Sequence, residues 1–300
     1  MFYDQGGLKK TMNRSTEHAR AFVFLLLTAL LWSTSGALIK QISWNAPAIA
    51  GSRSLLAAAV LLAIVRRRHL TFSRAQIIGA VGYAVTVILF VAANKMTTAA
   101  NAILLQYTAP MFVAILGIYF LHEKVDGRDV LLISAAMAGL VFFFLDRLGP
   151  GYWRGNLLAV LSGAGMAVMI TAMRMQKDAF PLGSVFLGNL LVGLVTAPFL
   201  FLGPPQDSAS WLSLGFLGVF QLGLSYVLYC LAIRHVSAME AIMIPILEPI
   251  LNPLWVLLLM GERPGPWALL GGLIVLGSAA AYMARGLKKQ SKLAKGAVGA

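Results

Sequence analysis

Charge is scarce in this sequence, and cysteine is nearly absent. Only 12% of its 300 residues are Asp, Glu, Lys or Arg, about half the share in ordinary globular proteins. With 59% hydrophobic residues, the chain has too little polar surface to face water, which excludes a soluble domain. A single cysteine, Cys230, excludes an intrachain disulfide and a thiolate metal cluster. There is no HExxH, GxGxxG or Walker-type loop. The four histidines (His18, His69, His122 and His235) fall in tails, in loops or at a helix end. An intramembrane enzyme would need a nucleophile–base or metal constellation at membrane depth, so neither catalysis nor a cofactor is expected. Acidic residues are also few, 11 against 24 Lys and Arg, for a net charge of +13. The basic residues flank apolar runs and fill the tails, and so determine membrane orientation rather than form a nucleic-acid surface.

What the chain does have is long apolar runs separated by short polar breaks. About 20 apolar residues in a helix cross the roughly 30 Å of a bilayer's hydrocarbon. The runs predict ten spans: 20–40, 47–65, 75–94, 98–121, 129–146, 155–175, 182–203, 210–233, 237–260 and 265–285. The first could be mistaken for a signal peptide. Its length, with Trp32 and Lys40 where a cleavage region would lie, reads instead as a retained membrane helix. If the N-terminus is cytoplasmic, 18 Lys and Arg fall inside and five outside, which predicts that both termini are cytoplasmic.

Comparison of the chain with itself adds symmetry. A shift of 139 residues lays Lys95–Phe144 over Arg234–Met283, matching Ala99 with Ala238, Pro110 with Pro249 and Glu123 with Glu262. Leu and Ala match everywhere in apolar helices; Pro and Glu matching at one spacing is far less accidental. The expected fold is all-α and integral to the membrane, with ten transmembrane helices as two inverted five-helix repeats. Residues 1–19 form a cytoplasmic tail, 20–146 the first repeat, 147–154 an external connecting loop and 155–285 the second repeat. Residues 286–300 are a basic cytoplasmic tail, expected to be disordered. Inverted repeats suit secondary transporters, which hold substrate where the halves meet.

The segments LLQYTAPMFVAILGIYFLHE (Leu104–Glu123) and MIPILEPILNPLWVLLLMGE (Met243–Glu262) resemble the two signature regions of the drug/metabolite transporter superfamily, EamA type. The resemblance covers nearly the whole chain and departs from the usual pattern at His122, where a Gly commonly precedes the Glu. Within the superfamily the chain looks most like bacterial amino-acid and metabolite exporters, including those for aromatic amino acids. The resemblance implies export of such solutes across the bacterial cytoplasmic (inner) membrane by alternating access. A multidrug or quaternary-cation exporter is the alternative; an intramembrane enzyme or a receptor is the rival from another class.

Particular residues then become candidates for the pathway. Pro110 and Pro249 each remove a backbone N–H inside an apolar helix and free a carbonyl for water, a side chain or a substrate amine; they read as fixed kinks or as hinges. Glu248 stands mid-span, where an ionisable side chain is costly and usually functional. It reads as a proton- or amine-binding carboxylate, or as a structural acid on backbone loosened by Pro249, and coupling to protons would run through it. Its repeat mate is Ala109. Asn252 lies one turn beyond it. Trp32, Tyr83, Asn101, Gln106, Tyr107, Gln221 and Tyr226 supply aromatic and polar groups for a cavity holding a small amphiphilic solute. Arg53 is expected near the outer end of its span, snorkelling or ion-paired. Glu240 is expected to cap a helix, and Glu123 to pair with nearby basic residues.

Overall fold

Short polar residues at the chain's breaks decide where its helices start. A computed structural model describes residues 5–123, 126–144, 153–251, 255 and 266–296, and the described residues are all-helical with no strand. The helices are α1 (Gln5–Trp32), α2 (Ser35–Gln41), α3 (Ala46–Leu62), α4 (Arg74–Met96), α5 (Ala99–Gln106), α6 (Ala109–Leu121), α7 (Gly127–Phe144), α8 (Trp153–Met175), α9 (Leu182–Thr196), α10 (Ser208–Phe216), α11 (Ser225–Ala232), α12 (Ala238–Met243) and α13 (Pro266–Gly296). Asn45, Ser73 and Asp207 cap α3, α4 and α10, each accepting a bond from a first-turn N–H. Thr98 caps α5 through Asn101 N–H at 3.0 Å and Ser237 caps α12 through Glu240 N–H at 3.1 Å. These two caps are 139 positions apart, so the repeat read from Pro and Glu extends to the helix starts. Glu240 completes a capping box with Ser237, as expected of it.

Among the described residues, six helices are long and apolar enough to cross a membrane: Thr16–Gln41, Arg74–Met96, Asn101–Leu121, Trp153–Met175, Leu182–Phe201 and Ser208–Ala232, with Ala46–Leu62 and Leu270–Tyr282 as shorter apolar helices. Their outer faces are greasy. Val23, Leu26, Leu27 and Leu30 of α1 are all at least 40% exposed at helical spacing, an outward apolar stripe that suits lipid and not water.

The expected spans 98–121 and 20–40 are present as apolar spans, Asn101–Leu121 and Thr16–Gln41, but each has an internal break. The former runs as two helices, α5 and α6, interrupted at Tyr107 and Thr108. The first is broken at Ser33–Thr34. The basic C-terminal tail is not disordered where described: α13 continues to Gly296, because its Lys, Leu, Ala and Gln residues favour helix and extend one already nucleated. His122 ends α6 in the left-handed region at φ 53°, while Glu123 N–H bonds back to Gly117 O at 3.1 Å, a helix end that ordinarily takes glycine.

The halves meet closely where side chains are absent. A Cβ on Gly82 of α4 would stand 2.8 Å from the Met169 backbone nitrogen of α8, so these helices pack nearly backbone to backbone. At the end of the bundle bearing the N-terminus, polar and charged side chains tie one half to the other. Glu123 pairs with Arg174 at 3.5 Å and accepts from Ala238 N–H at 3.1 Å. His18 meets Glu240 at 3.2 Å, His235 meets Glu17 at 3.1 Å, and Arg285 reaches Asp126 at 2.7 Å and Asp129 at 3.1 Å. The backbone N–H of Asp129, and after it the Arg285 guanidinium, hold the Asp126 carboxyl below the usual carboxylate range.

Candidate functional site

The interruption of each repeat follows from its proline. In an α-helix the carbonyl of residue 245 would accept from the N–H of residue 249, which Pro249 lacks. The backbone tightens instead into a 3-10 turn at Pro245–Leu247, and Pro245 O accepts from Glu248 N–H. Its remaining lone pair meets the Tyr107 hydroxyl at 2.6 Å, and that hydroxyl also lies 2.8 Å from Glu248 Oε2. Tyr107 belongs to the break in the first half, so each broken helix touches the other at its weak point. In the first half, Pro110 lies in the opening turn of α6 and leaves the Gln106 carbonyl without its α-helical partner. Gly163 packs against that carbonyl so closely that a Cβ would stand 2.5 Å from its oxygen. Gln106 and Pro245 are repeat mates, 139 positions apart: the same loosened carbonyl is covered by a glycine in one half and by a phenol in the other. Tyr107 and Thr108 keep φ near −70°, so the chain unwinds locally without leaving its helical course. Pro110 therefore opens a new helix rather than kinking a continuous one.

Beside these breaks lies a cavity lined by Trp32, Ser35, Arg53, Thr86, Val87, Phe90, Gln106, Met166, Gln221, Leu222, Tyr226 and Glu248. The space open to the centres of water-sized molecules is about 40 Å³, enough for about three waters. Among the expected residues, Trp32, Gln106, Gln221, Tyr226 and Glu248 thus come together. Gln106 is steadied by a 2.8 Å bond to Ser162 Oγ, and Trp32 Nε1 donates to Ser225 Oγ at 2.9 Å. Gln221 sits in a π-helical stretch, Leu217–Leu224, whose wide turns recur at functional sites. Ser225 hydroxyl takes the Gln221 carbonyl and so closes the turn behind it.

Tyr83 and Tyr107 stand just outside the lining. Tyr83 bonds Asn189 Oδ1 at 3.0 Å and meets the Tyr226 ring edge-on at 4.9 Å, so it backs the wall. Asn101 does not join the group: it bonds Thr97 Oγ1 at 3.2 Å at the far end of the bundle. Asn252 lies outside the described residues. Pro249 directly follows Glu248 in the last described turn of the second repeat's broken helix.

The residue that the sequence reading misplaced is Arg53. It is neither snorkelling nor ion-paired: it occupies the eighth of seventeen positions in α3, is 1% exposed and lines the cavity. Among the described residues no carboxylate lies within 4 Å of it; one terminal nitrogen reaches Gln221 Oε1 at 3.4 Å, and its Nε has no partner. A lone arginine inside an apolar span was the available signal.

Comparison with known proteins agrees with this architecture. The EamA-like transporter family matches twice, over residues 19–145 and 153–283, one match per half. An uncharacterized transporter of Clostridium kluyveri is 24% identical over 92% of this chain and 96% of its own. An uncharacterized protein of Pseudomonas aeruginosa is 28% identical over 79% and 84%. A biotin transporter of Salmonella typhimurium is 24% identical over 71% and 76%. A protein of known crystal structure superposes with a TM-score of 0.74 at 20% identity, covering 90% of this chain and 99% of that one, which establishes the shared fold. A greasy all-helical bundle, a central polar cavity and two family matches leave one conclusion: the chain is a multi-pass membrane protein of the EamA-like transporter family, within the drug/metabolite transporter superfamily.

Proposed function

We propose that the chain is a secondary transporter of the bacterial cytoplasmic membrane that exports amino acids or related small metabolites by alternating access. In this reading ten helices form two inverted five-helix repeats, 20–146 and 155–285, joined by an external loop at 147–154, with the tails 1–19 and 286–300 both cytoplasmic. The observation that carries it is the polar cavity beside two helices that break at repeat-equivalent positions. Discontinuous helices at membrane depth expose backbone groups that continuous ones hide, and they accompany substrate sites in transporters.

The cavity's size supports a moving mechanism. Room for about three waters is too small for an aromatic amino acid or for the biotin after which one relative is named, so the walls must part to admit a solute of that size. The prolines make the breaks the softest places to bend, with Pro110 and Pro249 as hinges. The ion pairs at the N-terminal end then act as a closed cytoplasmic gate, whose opening would break Glu123–Arg174 and Arg285–Asp126. Glu248 serves as the carboxylate that binds a proton or a substrate amine, and Trp32, Gln106, Gln221 and Tyr226 line the path.

The test is counterflow in proteoliposomes, with a panel of neutral, acidic and aromatic amino acids and of organic cations, at several pH values. At least one amino acid preloaded inside is expected to accelerate uptake of its labelled form severalfold. If no solute moves, the reading fails.

A further inference from the structure

The chemistry of the substrate can be narrowed from Arg53, on the basis that the cavity is the transport site. A guanidinium stays charged in proteins and carries five N–H donors. At 1% exposure, such a charge is expensive unless an anion and several acceptors surround it. Its surroundings among the described residues supply only the Gln221 amide oxygen, at 3.4 Å, a long and weak bond. Its Nε is left with nothing. The one carboxyl on the same cavity wall, Glu248, is turned to Tyr107 at 2.8 Å and makes no ion pair with Arg53. The cavity wall therefore carries a positive charge with no anionic partner among the described residues, beside the indole of Trp32 and the apolar groups Val87, Phe90, Met166 and Leu222.

We infer that Arg53 is the anchor for a substrate carboxylate, so that the transported class is small carboxylic acids with an apolar body. A carboxylate presents two oxygens in the plane and at the spacing that a guanidinium fork matches. It would supply the acceptors and the negative charge that the protein withholds. The apolar wall takes the remainder of the solute, and for an amino acid the amine is left to face Glu248 or the amide oxygens of Gln106 and Gln221. The same charge repels a quaternary or primary ammonium that lacks a carboxylate, which sets this class against the organic cations.

Three probes of one shape separate the possibilities: phenylalanine, 3-phenylpropionate (carboxylate without amine) and phenylalaninamide (amine without carboxylate). Each is offered to the full-length protein in proteoliposomes, and its binding is measured by calorimetry in detergent. The wild type is expected to bind and move the two carboxylates at least tenfold better than the amide. Arg53→Gln is expected to lose that preference, and Arg53→Lys to keep part of it, with monodispersity and melting temperature reported for both. The comparison of probes on the wild type stands even if a variant fails to fold. Preference for phenylalaninamide, or transport confined to solutes that lack a carboxylate, overturns the carboxylate anchor and leaves the transporter reading intact. Full carboxylate selectivity in a folded Arg53→Gln overturns it too. If no solute of any charge moves, both fall.

Discussion

Glu248→Gln is expected to cut transport driven by a pH gradient by about tenfold or more, as removal of a functional ionisable group inside a membrane should, while solute exchange stays measurable. The expectation follows from counting protons. The Tyr107 hydroxyl owns one, yet it contacts both Pro245 O at 2.6 Å and Glu248 Oε2 at 2.8 Å. A carbonyl can only accept, so the phenol's proton points there, and the second contact is a hydrogen bond only when the carboxyl donates. Both contacts are hydrogen bonds at once only when Glu248 carries a proton. Once that proton leaves, the carboxylate and the Pro245 carbonyl compete for a single phenolic hydrogen, and the bond that clamps the broken helix weakens. In the proposed mechanism, gain and loss of a proton at Glu248 are in this way tied to the broken helix. Glutamine imitates the protonated acid, because its amide N–H can donate to the phenol oxygen, but it can release nothing. Exchange at constant protonation survives in this variant and proton-driven accumulation does not. Purified protein in liposomes with an imposed pH gradient provides the measurement, and an undiminished response to the gradient would show that Glu248 is only a structural acid.

Tyr107→Phe is the second large effect expected. It removes the hydroxyl that joins the two interrupted helices at Pro245 and Glu248 and leaves a buried acid without that partner, at a cost of about 1–3 kcal/mol. The variant should melt at a lower temperature in detergent and transport more slowly. Its pH response should also flatten, because Glu248 is no longer coupled to Pro245. Tyr83→Phe is the control. The Tyr83 hydroxyl bonds Asn189, whose amide is also held by Val185 O at 3.0 Å, so its loss should alter stability without changing the pH response. Equal effects from the two substitutions would mean that Tyr107 serves packing alone.

Much of this was legible in the sequence, and the failures have physical causes. Composition alone identifies the solvent as lipid, because no arrangement of so few polar residues covers a soluble fold. The 139-residue offset located the two breaks, since proline cannot donate the bond that holds its own turn together. It also set Glu248 against Ala109, an acid against an apolar residue midway along the two broken helices. Depth and rotation were harder to read. Helices apolar on nearly every side, such as α3, carry little periodicity to show which face looks inward, and Arg53 was therefore assigned to the outer edge. Asn101 was drawn inward for the same reason, although its place in the first turn of α5 keeps it near the bundle's end. The π-helical turn at Gln221 and the break at Ser33–Thr34 involve no proline. The latter is met by a side chain distant in sequence, Trp255 Nε1 bonding Ser33 Oγ at 2.8 Å, and local sequence announces neither.

That the cavity between the halves is the route of transport, opened to each side in turn, is most directly tested by thiol accessibility. Cys230 is the only cysteine and is buried, so Cys230→Ser gives a silent background into which Gln221→Cys places one thiol on the cavity wall. A membrane-impermeant maleimide is applied to whole cells and to inside-out vesicles, with and without phenylalanine. Labelling is expected from both sides, with phenylalanine slowing it from each. Labelling from one side only, or labelling that phenylalanine does not alter while phenylalanine is transported, would contradict a central site with alternating access.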